Sequence, residues 1–174
     1  MKFEANCAIR NTFTVHVDNV RTGEHREYKA HNIILNQMWD RLTNFSTYFA
    51  YIAFGQGTGE FNDPARTQLY DHIDLMAATD EYKKAAYPTS QWRRKSVINP
   101  GAQTGKVITE LGICYDNNKA YLVTHAPILD SEGNQIALGP KGEYDLYTIF
   151  ADVFISLWGD YGAFFYANGL RNYL

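Results

Sequence analysis

A glycine-rich loop, Gly55-Gln56-Gly57-Thr58-Gly59, follows an apolar run, where backbone N–H groups can cradle a phosphate. It lacks the third glycine of G-x-G-x-x-G, and Glu60 and Asp63 would repel an anion. The spacing therefore reads as a turn that uses glycine's access to positive φ. Gly101 to Lys106 resembles a P-loop, but it is one residue short between its glycines. Val107 also stands where a metal-binding hydroxyl is needed. His16, His25, His31, His72 and His125 are scattered, none at metal-ligand spacing from another His or Cys. Asp71-His72-Ile73-Asp74 sets carboxylates beside an imidazole but reads as a solvated helical turn. Asp116-Asn117-Asn118 has no Glu at the distance that closes a calcium loop. Cys7 and Cys114 lack a nucleophile's context and are too few for a disulfide framework, so both are expected reduced. No acid–base pair or nucleophile set emerges. Catalysis is the weakest reading, and no cofactor or metal is expected.

Two features point to assembly. Glu110 sits mid-strand between Thr109 and Leu111. A carboxylate there needs donors, so it is expected to accept backbone N–H bonds and fix a loop. Trp92-Arg93-Arg94-Lys95 joins an aromatic ring to a basic run. On a strand, Arg93 and Lys95 face one way while Trp92 and Arg94 face the other, which splits the charge between two surfaces. An exposed sheet face or an ion pair between subunits fits this better than nucleic acid. The acidic Glu60 and Asp63 of another copy would complement it.

The elements that must position these residues follow from periodicity. Phe13, Val15 and Val17 alternate with polar residues, and 24–30 returns as the second strand of an opening hairpin. Leu35, Met38, Trp39, Leu42 and Phe45 have helical spacing over 32–45, with Asn32 as N-cap. A strand over 50–54 leads into the glycine loop, which runs on through Pro64. A short helical turn is expected over 67–77. Strands are expected at 80–87 and 91–98, joined through Pro88-Thr89-Ser90. A strand at 107–115 turns at Asp116–Lys119 into a partner at 120–124, and Asp130–Asn134 forms another turn. The long strand 144–157 has core-forming odd positions from Tyr147 to Leu157. Its even face carries Phe150 and Phe154, which calls for a second cover, either the helix at 32–45 or another subunit. Residues 162–174 read as a short closing helix. This order of elements predicts one mainly β domain over 1–174, an antiparallel β-sandwich with one or two short helices.

The chain's 174 residues can bury a core without staples. A net charge of −3 argues against a phosphate-binding surface, so no direct nucleic-acid contact is expected. Aromatic residues make up 15% of the chain, a level that suits half-buried sheet surfaces and protein interfaces. The first residues lack the apolar run of a signal peptide, and no stretch reaches membrane-span length. The expected setting is synthesis in a cytoplasm, with no membrane partner.

Several segments, in order, resemble a family of small tail-associated and baseplate-type structural proteins of tailed bacteriophages. They are Asn32–Leu35 leading into Met38–Leu42; Tyr51–Thr58 followed by Pro64, Thr67 and Leu69; Val107–Ile113, including Glu110 and Gly112; the strand 144–157; and the closing 168–174. The resemblance spans about residues 32–174, and the hairpin at 9–30 is less typical of it. It implies a non-enzymatic sandwich that packs into rings or trimers with other virion proteins at a tail, baseplate or neck. Gly55, Gly57, Thr58, Gly59, Pro64, Glu110 and Gly112 would organise its assembly loop. Trp92, Arg93, Arg94, Lys95, Phe150 and Phe154 would supply an interface. Two other readings stay open. One is a head decoration or head-fibre protein. The other is a carbohydrate-binding module whose Tyr and Trp rings stack on a host-surface glycan.

Overall fold

A computed structural model describes residues 5–41, 49–86, 89–130 and 132–159. Alternating apolar residues build β1 (Ala5–Asn19) and β2 (His25–His31), an antiparallel hairpin. In its turn, Asn19 Oδ1 accepts the amides of Arg21 and Thr22, and Gly23 takes φ 76°. The other strands are β3 (Ile33–Ile34), β4 (Tyr51–Gly55), β5 (His72–Ala77), β6 (Thr79–Ala86), β7 (Thr89–Ile98), β8 (Glu110–Cys114), β9 (Leu122–Pro127) and β10 (Asp145–Gly159). One helix, α1 (Asn36–Arg41), is present among the described residues.

The strands form two antiparallel sheets, the first in the order β2-β1-β10-β7-β6 and the second β3-β9-β8-β4-β5. This is the β-sandwich that the alternation implies. Its core lies between Phe13, Val15, Tyr147, Ile149 and Ala151 of the first sheet and Ile52, Phe54, Leu111 and Ile113 of the second. β1 and β10 pair over their whole length, from Ala5 opposite Gly159 to Asn19 opposite Asp145.

The second sheet is covered on its back as well. Leu35, at the start of α1, and Leu69, from the loop 56–71, close over Ala53, Cys114 and Leu122 as a small second core. All five residues of β8 are consequently buried, on both of its faces.

Several expectations need correction. No helix starts at Asn32. Ile33 and Ile34 pair with His125 and Thr124 instead, and helix begins at Asn36. Tertiary pairing overrides the local helical spacing here. Trp39 is exposed, although the spacing placed it with Leu35 and Met38. The helical turn expected over 67–77 is the strand β5, which pairs with β4 along the edge of the second sheet. The strand expected at 107–115 is regular only over Glu110–Cys114, because Ile108 bridges to Leu138. The connection drawn at 88–90 is shorter, with Thr89 and Ser90 already in β7. Helix α1 packs on β9, so it is not the cover for the aromatic face of β10. Ile155, expected in the core, is 39% exposed. The expected helix at 162–174, the positions Leu42 and Phe45, and the Cys7 side chain lie outside the described residues.

Candidate functional site

Glu110 opens β8, between Gly55 of β4 and Pro127 of β9. Leu111 and Ile113 face the core, so alternation turns Glu110, Gly112 and Cys114 to the back of the second sheet, under the loop 56–71. The Glu110 side chain is fully buried. Its Oε1 accepts the N–H groups of Gly57 at 3.0 Å and Asp71 at 2.9 Å. Its Oε2 accepts the N–H of Tyr70 at 3.0 Å and meets His125 Nε2 at 2.8 Å. One carboxylate thus ties both ends of the loop, just after β4 and just before β5. Four converging donors saturate its two oxygens. Burial pushes this carboxyl up, but the bonds from His125, Asp71 and Tyr70 outweigh it and hold the group below its ordinary value. The ionised carboxylate has no proton to give, so Nε2 of His125 donates. The His125 ring is fully buried and sits against Phe61, with centroids 4.6 Å apart, and Tyr70, at 5.7 Å.

The glycines here serve close approach and not positive φ, contrary to the reading from sequence. Among the described residues, the positive-φ glycines are Gly23, Gly101, Gly105, Gly133 and Gly139. A Cβ on Gly57 would strike Glu110 Oε1, the Asp71 amide and the Tyr70 side chain. One on Gly112 would strike Leu122 and the Thr124 carbonyl. Thr109 adds to the neck, its hydroxyl donating to the Gly57 carbonyl at 2.6 Å and its N–H to the Gly55 carbonyl at 2.9 Å. Thr58, Gly59 and Pro64 lie on the exposed part of the loop. The Pro64 carbonyl accepts the Asn36 amide at 2.8 Å, fastening the loop to α1.

The residues expected at an interface lie elsewhere, on the first sheet. On its outer face, Phe150 and Phe154 are half-buried in β10 with Asp152 between them. Arg10 stands over the Phe154 ring at 4.6 Å, and Arg93 over Phe150 at 5.2 Å and Tyr82 at 5.3 Å. Lys95 approaches Phe150 at 6.0 Å. Asp152 is almost fully buried. It takes two bonds from Arg93, Nε at 2.8 Å and Nη2 at 2.6 Å, and one from Gln91 at 2.9 Å. That bidentate pairing raises the Arg93 pKa further.

Trp92 and Arg94 point to the opposite face, as alternation requires. Both bond Asp80, which also pairs with Lys83 at 2.9 Å. Lys83 first, then Trp92 and Arg94, hold the Asp80 carboxyl down to about 2, against slight desolvation. Lys95 reaches Glu81 at 3.5 Å. The basic run expected to meet Glu60 and Asp63 of another copy is therefore partnered by carboxylates of its own sheet.

The structure thus gathers Gly55, Gly57, Glu110 and Gly112 at one clasp, and Arg93, Lys95, Phe150 and Phe154 on one face more distant in the fold. The sequence reading missed His125, Tyr70 and Phe61 at the clasp, and Arg10 and Asp152 on the face. A lone Asp inside an apolar strand was a visible sign of the buried pair; nothing in the sequence marked His125. Burial pushes the Cys114 thiol up to about 12, which leaves it unreactive at ordinary pH. Among the described residues, no three His, Cys, Asp or Glu side chains gather to hold a metal. No described helix is long and apolar enough to cross a membrane. No protein-family model, curated protein or solved structure matches the chain.

Proposed function

We propose that this protein is a structural component of a tailed-bacteriophage particle, acting in the tail, baseplate or neck through contacts with copies of itself and other virion proteins. The observation that carries this reading is the outer face of the first sheet. Phe150 and Phe154 lie half-buried on an antiparallel sheet face, bracketed by Arg10, Arg93 and Lys95. Aromatic and Arg side chains are the types enriched where proteins dock. The Arg93–Asp152 bond orders this face in advance, which lowers the entropy lost on association. The ordered resemblance of residues 32–174 to tail and baseplate proteins supplies the biological setting.

The test is assembly. The wild-type chain is expected to form a discrete oligomer by light scattering, ring-shaped or trimeric by electron microscopy, and to be found in purified particles. Phe150→Ser with Phe154→Ser should give a folded monomer. A monomeric wild-type chain that is absent from particles refutes the proposal. Binding on a glycan array that is lost with the same double substitution would reassign the face to a host-surface sugar.

A further inference from the structure

The loop 56–71 is fastened unevenly. The amides of Gly57 and Asp71, at its two ends, both donate to Oε1 of Glu110, and beside them the Gln56 amide donates to the Asp71 carbonyl at 2.9 Å. One carboxylate therefore closes the neck of the loop. Between those ends Leu69 is the loop's one buried side chain, and the main core takes no residue from the loop. Away from the neck, single backbone bonds hold it. The Asn36 amide donates to the Pro64 carbonyl at 2.8 Å and the Leu122 amide to the Thr67 carbonyl at 3.2 Å. A segment with many exposed residues and few buried apolar contacts opens at lower cost than the core it covers.

The neck depends on a charge. An ionised carboxylate only accepts, and here its two oxygens meet three amides and the Nε2 hydrogen of His125. A protonated carboxyl turns an O–H toward those same donors and strands some of them without an acceptor. The partner ring gives no relief. Nδ1 of His125 is buried with no hydrogen-bond partner among the described residues, so a second ring proton would meet no acceptor. The other ionisable groups around the neck are Arg66, Tyr70 and Asp71 of the loop and His72 of β5. Arg66 lies over the Tyr70 ring at 3.4 Å, and Asp71 takes a bond from Gln56 at 2.9 Å. Burial, and then Lys119, hold the His72 imidazole below its ordinary value against Asp74 and Glu110, so near neutrality it brings Glu110 no counter-charge. We propose that Glu110 and His125 form an acid-sensitive latch. Proton uptake there releases loop 56–71 as a unit and bares the back of the second sheet, where Ala53, Cys114 and Leu122 lie with Leu69, while the core between the sheets stays intact.

The test follows Cys114 in the full chain with Cys7→Ser, which leaves it as the one thiol. Its reaction with dipyridyl disulfide, a reagent that attacks thiols in acid, is timed from about pH 6 down to about pH 2, each rate divided by that of a free thiol at the same pH. Its bonds hold the Glu110 carboxyl below the ordinary value, so the rate should rise about tenfold or more on the acid side of that value, with the far-UV circular dichroism still native. Leu69→Cys, with both native cysteines changed to Ser, reports from the loop itself and should follow the same course. Val15→Cys in that background lies in the main core and should stay protected. Glu110→Gln removes the charge at nearly constant shape and should give the fast rate at Cys114 already at about pH 6. A wild-type rate that stays flat, or a Glu110→Gln rate as slow as wild type at that pH, would overturn the proposal. So would Val15→Cys gaining reactivity in step with Cys114, which would mean that the whole sandwich opens. The latch lies on the second sheet, so failure of the docking reading on the first sheet leaves this test unchanged.

Discussion

Two buried carboxylates, Glu110 at the start of β8 and Asp152 midway along β10, both sit in largely apolar strands, and the fold uses them in opposite ways. Glu110 is met by backbone amides from the loop 56–71 and by a buried imidazole. His125 comes from the adjacent strand β9, but the three amides belong to a covering loop, so satisfying the charge ties that loop over the back of the second sheet. Asp152 is met by Arg93 and Gln91, long side chains of the adjacent strand in the same sheet. Its partners bring no further layer, so among the described residues the outer face of the first sheet carries no covering loop, and its Phe rings are flanked by cations. Backbone donors cannot leave without unfolding the loop, whereas side-chain donors can swing toward water. A buried carboxylate is thus a structural clasp when the backbone satisfies it and a surface organiser when side chains do.

The largest expected effect is at the clasp. Glu110→Ala strands three backbone N–H groups and His125 and should destabilise the fold by about 3 kcal/mol. In a chain of this size that lowers Tm by roughly 6–12 °C, measurable by calorimetry. An unchanged Tm would show that the four bonds contribute no net stability. Gly57→Val comes next. Its side chain collides with Glu110 and Tyr70 together, and overpacking at the neck should cost about 2 kcal/mol, with faster hydrogen exchange confined to 56–71. Exchange that rises equally throughout would mean the loop is not a separate unit.

The pH dependence isolates Glu110 from the rest. Its pKa is lower folded than unfolded, so its stabilisation is present above the ordinary carboxyl value and is lost as pH falls through the folded one. Denaturant titrations should show the wild type losing its advantage over Glu110→Gln across that acid window and keeping it near neutrality. A constant difference between the two proteins would break the assignment.

The effects at the open face should be smaller on stability. Asp152→Ala leaves Arg93, whose side chain is 30% exposed, free to reach water, so the cost should be about 1 kcal/mol. Tm values comparable to those of Glu110→Ala would erase the distinction between clasp and organiser. Smallest of all, Phe150→Ser alone should shift stability by less than about 1 kcal/mol while weakening self-association at least tenfold by analytical ultracentrifugation. Tight association retained in that variant would move the docking surface off this face.

Much of the architecture was legible in the amino-acid order because alternation is a local property. Phe13-Val15-Val17 and Tyr147-Ile149-Ala151-Val153 each state which side is core, and no distant residue is needed to read them. The placing of Glu110 in an apolar strand likewise demanded donors before any were known. What the order could not state was the source of those donors. The Asp71 amide and the His125 ring lie 39 and 15 residues away and meet Glu110 only because β4, β8 and β9 are adjacent. The same long-range pairing turned 72–77 into an edge strand and drew Ile33–Ile34 out of the helix toward β9, against local spacing. The sequence by itself determined the period of each strand and the need to neutralise each buried charge, since both depend on side chains a few positions apart. Only the tertiary structure decided which sheet carries the covering loop and which charge it meets, because that depends on which distant strands become neighbours.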